Sequence, residues 1–249
     1  MGIEIGKEDE KMSENKTLFQ QGTLGALMAG LYDGTLTIRE LLEHGNTGIG
    51  TMDALDGELI IIDGEAYQAK SDGSFKKLSG LEKVPYAAVT YFDAERDYEI
   101  NKTMTASQVK ELIEFELSSL NSFSAVKIKG HFKQIHVRNV PKQNKPYPRL
   151  IDVSKNQPEY QETEMDGTII GFYTPALFQG AAAAGFHLHF INDQKTFGGH
   201  VLDFVIERGQ VEIETIETLE QHFQIHDATF METEFDDSNL HKEIELAES

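Results

Sequence analysis

From Gly48 to Leu78 the chain alternates short apolar runs with Asp-Gly pairs at Asp56-Gly57, Asp63-Gly64 and Asp72-Gly73. Asp and Gly tolerate the left-handed backbone that tight hairpin turns require, so this segment predicts successive antiparallel hairpins. Val84 to Phe92 and Gly167 to Tyr173 read as further buried strands, and Val211 to Ile216 alternates with one wet face. Ser124 to Val140 alternates apolar with largely basic residues and predicts two strands broken near Gly130. Helical spacing is scarcer. Thr17 to Tyr32 opens like a strand and turns helical, with Leu24, Leu27, Met28 and Leu31 on one side. Thr37 with Glu40, and Thr105 with Gln108, have the spacing of capping boxes. The second of these opens a helix striped by Val109, Leu112, Ile113 and Leu117. The acidic tail ends in a short amphipathic helix, Leu240, Ile244 and Ala247 forming its apolar side.

The run from Gly185 to Phe204 carries the chemistry. His187 and His189 stand two apart among Phe186, Leu188 and Phe190, a strand-like setting. Residues two apart in a strand share a face. Polar residues Asn192 to Lys195 and then Gly198-Gly199 separate this run from a second, which His200 opens. A hairpin about Asp193-Gln194 places His200 opposite His187 and gathers three imidazoles on one face. Three nitrogen ligands with an open position suit a catalytic zinc site better than a closed structural one. A lone histidine in a strand is ordinarily a satisfied, partly buried side chain; a pair with a third one hairpin away is harder to read that way. His222 and His226 lie in a polar segment and read as surface residues.

Composition sharpens this. The 249 residues carry a net charge of −20, which disfavours nucleic acid and anionic membranes over most of the surface. An anionic substrate would therefore need local positive charge from a metal and an arginine. Arg138, beside Val137 and Val140, either reaches solvent or binds an anion. Glu58 follows the first Asp-Gly turn directly; the pattern favours a solvated strand end over a placed functional group. Cysteine is absent, which excludes disulfides and thiol nucleophiles and fits a cytoplasmic protein. No apolar run is long enough to span a membrane. Residues 1–15 are polar, lack the pattern of a secretory signal and are expected to be disordered, with Met12 an alternative start. The proline-marked PKQNKPYPR from Pro141 suggests a boundary, giving domains at 16–145 and 146–249.

Several linked motifs then resemble α-acetolactate decarboxylase from about Thr17 to the tail: HGNTGIGTMDALDGELIIIDGEAYQ from His44, Arg138 before NVPKQNKPYPRL, FHLHF, and GGHVLDF. The resemblance implies a zinc enzyme converting 2-acetolactate to acetoin and carbon dioxide, with His187, His189 and His200 as ligands. It implies Glu58 near the metal, Arg138 facing the substrate, Thr51 on the substrate side, and a C-terminal glutamate reaching the site. Glu248 fits that last role best, with Glu245 as rival. It further implies a two-domain α+β homodimer, mostly antiparallel β-sheet with a few flanking helices, the zinc site lying on a hairpin of the C-terminal domain. On chemical grounds, decarboxylation leaves an enediolate whose charge a metal can hold, so no organic cofactor is needed. Two other classes remain: a zinc hydrolase using the same histidines, and a binding module with a structural zinc. The latter lacks a fourth His or Cys near the cluster.

Overall fold

The computed structural model describes residues 16–235 and 239–248, the side chain of Glu248 excepted. The expected disordered extension, residues 1–15, lies outside the described residues. Two large sheets form the body. The first has seven strands in the order Thr218–His222, Thr17–Gln21, Tyr86–Thr90, Thr47–Thr51, Glu58–Ile62, Glu65–Ala69 and Phe75–Lys77. Its hairpins turn where the Asp-Gly pairs predict. At the second turn both Asp63 (φ 53°) and Gly64 (φ 76°) are left-handed, the backbone that a two-residue hairpin requires.

In the second sheet, Ser124–Arg138 lies between Glu159–Thr174 and Gly198–Thr215, and Gly185–Asn192 pairs with both of the latter. These four antiparallel strands therefore close on themselves as a ring. Arg96–Ile100 and Met104–Thr105 add to the far edge of Gly198–Thr215. The strand pairing does not part at residue 145: segments on both sides of it share this sheet, and Thr218–His222 returns to the first. The two sheets share a core in which Ile49, Ile60 and Ile62 meet Ile170, Phe172 and Ile191. A separate cluster packs Val109 and Ile113, from helix Ala106–Glu116, on Phe132, Ile135 and Phe204. Full burial of such side chains contributes about 1.5–3 kcal/mol each, so this shared core holds the two sheets together.

The helices start where their caps predict. Thr37 and Thr105 each accept from the backbone three residues on, while Glu40 and Gln108 return the bond. One expectation fails at Gly130. Ser124–Arg138 is a single strand with bulges beyond His131, not two strands. A Cβ at Gly130 would lie 2.3 Å from the Arg208 carbonyl oxygen, so the glycine permits close strand approach rather than ending the strand. Helix Leu150–Ser154, within the stretch after the proline-rich connection, was not foreseen. Among the described residues, no helix is long and apolar enough to cross a membrane.

Candidate metal centre

His187, His189 and His200 do converge, but not by the expected register. His200 lies opposite His189, not opposite His187. The cause is the loop. Asn192 Oδ1 accepts from the backbone N–H of Thr196 (2.8 Å) and Phe197 (3.0 Å), and Lys195 is left-handed at φ 57°. This turn is centred farther along than Asp193-Gln194 and shifts the pairing by two residues. A one-residue slip would have sent His200 to the other face; a two-residue shift preserves the face. The three imidazoles each present a nitrogen within 4.8 Å of the others, and the ring centroids are 5.0–5.5 Å apart.

These groups fit a metal. His189 is fully buried, and its Nδ1–H donates to the Leu59 carbonyl at 2.9 Å. That bond fixes the tautomer and leaves the Nε2 lone pair for the centre. Nε2 has no hydrogen-bond partner, an arrangement a buried polar atom tolerates poorly unless something binds it. Burial first, then the charge of Arg138, pushes His187 down to about 4. His189 is held well below its ordinary value, chiefly by burial. Both rings are thus neutral near pH 7, the form that binds a cation.

Glu58 stands at this centre, and the solvated reading of it is wrong. It is buried, its Oε1 accepting from the Val140 N–H at 3.0 Å and its Oε2 lying 3.7 Å from His189 Nε2. The preceding turn is packed inward: a Cβ at Gly57 would meet the Ala69 carbonyl oxygen at 2.2 Å, and the Gln68 amide donates to the Asp56 carbonyl. A charge-assisted bond from a backbone N–H makes the buried carboxylate tolerable. Thr51 pairs with Glu58 across the hairpin, and its hydroxyl donates to the Gly57 carbonyl at 2.9 Å.

Arg138 is likewise buried rather than extended to solvent. It pairs with His200 across adjacent strands. Its Nη2 lies 3.4 Å from His200 Nε2 and donates to the Ala247 carbonyl at 2.5 Å. The amphipathic tail forms as helix Leu240–Glu248, docked by Ile244 and Ala247 and by an Arg149–Glu243 ion pair at 2.6 Å. Glu245 is exposed, and the side chain of Glu248 lies outside the described residues. A cavity with about 470 Å³ of non-protein space, partly open to solvent, joins these groups. Thr51, Glu58, Arg138, His187, His200 and Ala247 line it, with Leu24, Leu27, Leu55, Tyr86, Val140 and Leu150 as a largely apolar wall. Gln157 also lines it. The sequence reading missed Gln157 and the backbone groups of Leu59, Val140 and Ala247, for which the local pattern carries no signal.

An α+β protein whose sheets bring three histidines together beside a buried carboxylate and a buried guanidinium has the side chains of a centre that could hold a metal ion. The family model of alpha-acetolactate decarboxylase matches residues 18–237, and the chain belongs to that family. It is 49% identical to the alpha-acetolactate decarboxylase of Streptococcus thermophilus, over 95% of this chain and all of that one. Identity to the Bacillus subtilis strain 168 enzyme is 35%, over 98% of this chain and 94% of that one. The crystal structure of the B. subtilis strain 168 enzyme superposes with a TM-score of 0.91 at 36% identity, covering 94% of this chain and 99% of that one. A Staphylococcus aureus protein described as similar to alpha-acetolactate decarboxylase also gives 0.91, at 48% identity, covering 93% and 99%. The chain is accordingly a decarboxylase.

Proposed function

We propose that this centre holds one divalent ion, zinc first, on His187, His189 and His200 and converts 2-acetolactate to acetoin and carbon dioxide. The observation that carries the reading is the orphaned Nε2 of His189, set beside two further imidazole nitrogens, a buried carboxylate and a buried guanidinium. The bound ion would supply Lewis acidity toward the negative charge left as carbon dioxide departs, an enediolate in the free substrate's terms.

The chain's own residues account for the rest. Arg138 is permanently charged and forked, suited to a carboxylate in a site that otherwise belongs to a very acidic protein. With the carboxylate so held, the bond from C2 to the carboxyl carbon breaks and its electron pair passes into the adjacent ketone. A proton must then reach C2 to give acetoin. Glu58 is held by Val140 N–H at the centre, and Glu248 follows the residue whose carbonyl meets Arg138. Glu58 is the carboxyl group we assign to that task, with Glu248, which the family resemblance implies, as its alternative. Thr51 lines the substrate side while bracing the Gly57 turn. The apolar wall keeps bulk water from competing for the charged groups.

The test is acetoin and carbon dioxide formation from 2-acetolactate, with and without a chelator and with metal added back. Esters and amides serve as the control for hydrolysis, which none of the comparisons favours. Chelator-insensitive turnover would remove the metal from the reading. The same reading carries a cytoplasmic homodimer, which sedimentation and cell fractionation test.

A further inference from the structure

Gln157 lies in the connection from helix Leu150–Ser154 to strand Glu159–Thr174 and lines the same cavity as the three-histidine centre. Its amide oxygen is shut off from solvent and has no hydrogen-bond partner. The backbone around it is fixed: the Pro158 carbonyl accepts from the Asn139 N–H at 3.1 Å, one residue after Arg138. Glu159 is the register partner of Arg138. The sealed, unpaired oxygen thus belongs to a cavity-lining side chain on a segment stapled beside Arg138. A buried acceptor without a donor is costly, and a ligand with a matching donor recovers that cost.

The chemistry of the substrate selects the match. In 2-acetolactate the carboxylate and the ketone only accept hydrogen bonds. Its single donor is the tertiary hydroxyl at C2. We infer that Gln157 is a specificity-determining residue whose amide oxygen accepts the hydrogen bond of the substrate's 2-hydroxyl. The inference rests on the decarboxylase reading of this cavity and adds to it a group that separates 2-hydroxy acids from their deoxy counterparts. A site built to bond a hydroxyl rejects an analogue lacking it, because the buried partner is then left unpaired.

The experiment uses the metal-loaded protein and two competitive inhibitors of acetolactate turnover, 2-hydroxyisobutyrate and isobutyrate. They share a carboxylate and two methyl groups and differ only in the hydroxyl. The quantity read is the ratio of their inhibition constants, in wild type, Gln157→Met and Gln157→Glu. Methionine keeps length and removes the acceptor; glutamate keeps an acceptor oxygen at the same reach. In Gln157→Met the preference for the hydroxy acid is expected to fall about tenfold, with metal content unchanged. In Gln157→Glu both inhibitors weaken, through charge repulsion, while the ratio is kept. Should Gln157→Met not hold its fold, Gln157→Ala reads the same ratio. A ratio equal to wild type in the variants lacking the acceptor overturns the assignment and leaves the decarboxylase reading intact. Wild-type protein that forms no acetoin overturns that reading and this assignment with it.

Discussion

Glu214 offers a measurement that depends on the fold alone. It sits on the long strand Gly198–Thr215, is 1% exposed, and its Oε2 has no hydrogen-bond partner. Burial is the main cause that pushes its carboxyl up to about 7; an N–H from Asp93 and the charge of Lys16 oppose the shift without cancelling it. The unfolded chain releases this proton near 4.5 and the folded chain near 7, so the folded state binds more protons in between. Its contribution to stability is therefore fully present below about pH 4.5 and is lost as pH rises through 7. Between pH 5 and pH 8 the loss is on the order of 2 kcal/mol at 1.36 kcal/mol per pH unit of differential binding. Glu214→Gln does not titrate, so this slope should vanish. The amide introduces a donor of its own, and a comparison at one pH would mix the two effects. The informative quantity is the double difference, pH 5 against pH 8, variant against wild type. In urea, with a slope of roughly 3 kcal/mol per molar for a chain this size, it amounts to somewhat under 1 M in midpoint. Other titrating groups, the site histidines included, cancel in that comparison. Parallel pH dependences in the two proteins would refute a buried, proton-holding Glu214.

The remaining predictions concern the centre. Elemental analysis should find about one divalent ion per chain, lost in His187→Ala and in His200→Ala; full occupancy in both variants would sink the three-histidine site. Arg138→Lys keeps the charge but not the planar fork, so turnover should fall by one to two orders of magnitude, roughly the 1.5–3 kcal/mol of a charge-assisted pair, with metal retained; near-normal kcat/KM would remove the bidentate role. Deleting residues 247–249 should lower turnover strongly, and Glu245→Gln, at an exposed position, should not; equal turnover in wild type and the truncated chain would assign Glu248 to a solvated end.

What the sequence made legible was local. The Asp-Gly turns, the two capping boxes and the two-residue spacing of His187 and His189 are decided within a few residues, and each forms as read. The tail helix was visible for the same reason, from Leu240, Ile244 and Ala247. What failed was decided at a distance or by a single side chain. The hairpin register followed from Asn192 capping its own loop, which no Asp-Gly or Asn-Gly pair announces. Gly130 looked like a break because its reason for being glycine is a facing strand more than 70 residues away. Glu58 looked solvated because the N–H that shelters it belongs to Val140, 82 residues on. Gln157 gave no signal at all: a glutamine in a polar connection becomes notable only when its oxygen is found sealed in a cavity.

The centre is oriented largely by backbone groups. The Leu59 carbonyl sets the His189 tautomer, the Val140 N–H holds Glu58, and the Ala247 carbonyl holds Arg138, across separations of 130, 82 and 109 residues. A backbone group brings no rotamer entropy, so each bond positions its side chain at lower entropic cost than a side-chain partner would. The same choice makes the geometry hostage to packing. Leu59 belongs to the first sheet and His189 to the second, and the bond between them is as well placed as the sheets are seated on one another. Ile60 and Ile191, which flank that bond in the shared core, are thus linked to the chemistry although neither lines the cavity. A change that loosens the seam is expected to move the imidazole relative to Glu58, because interiors transmit small displacements instead of absorbing them. In this fold the apolar contact between sheets and the aim of the His189 Nε2 are one structural property.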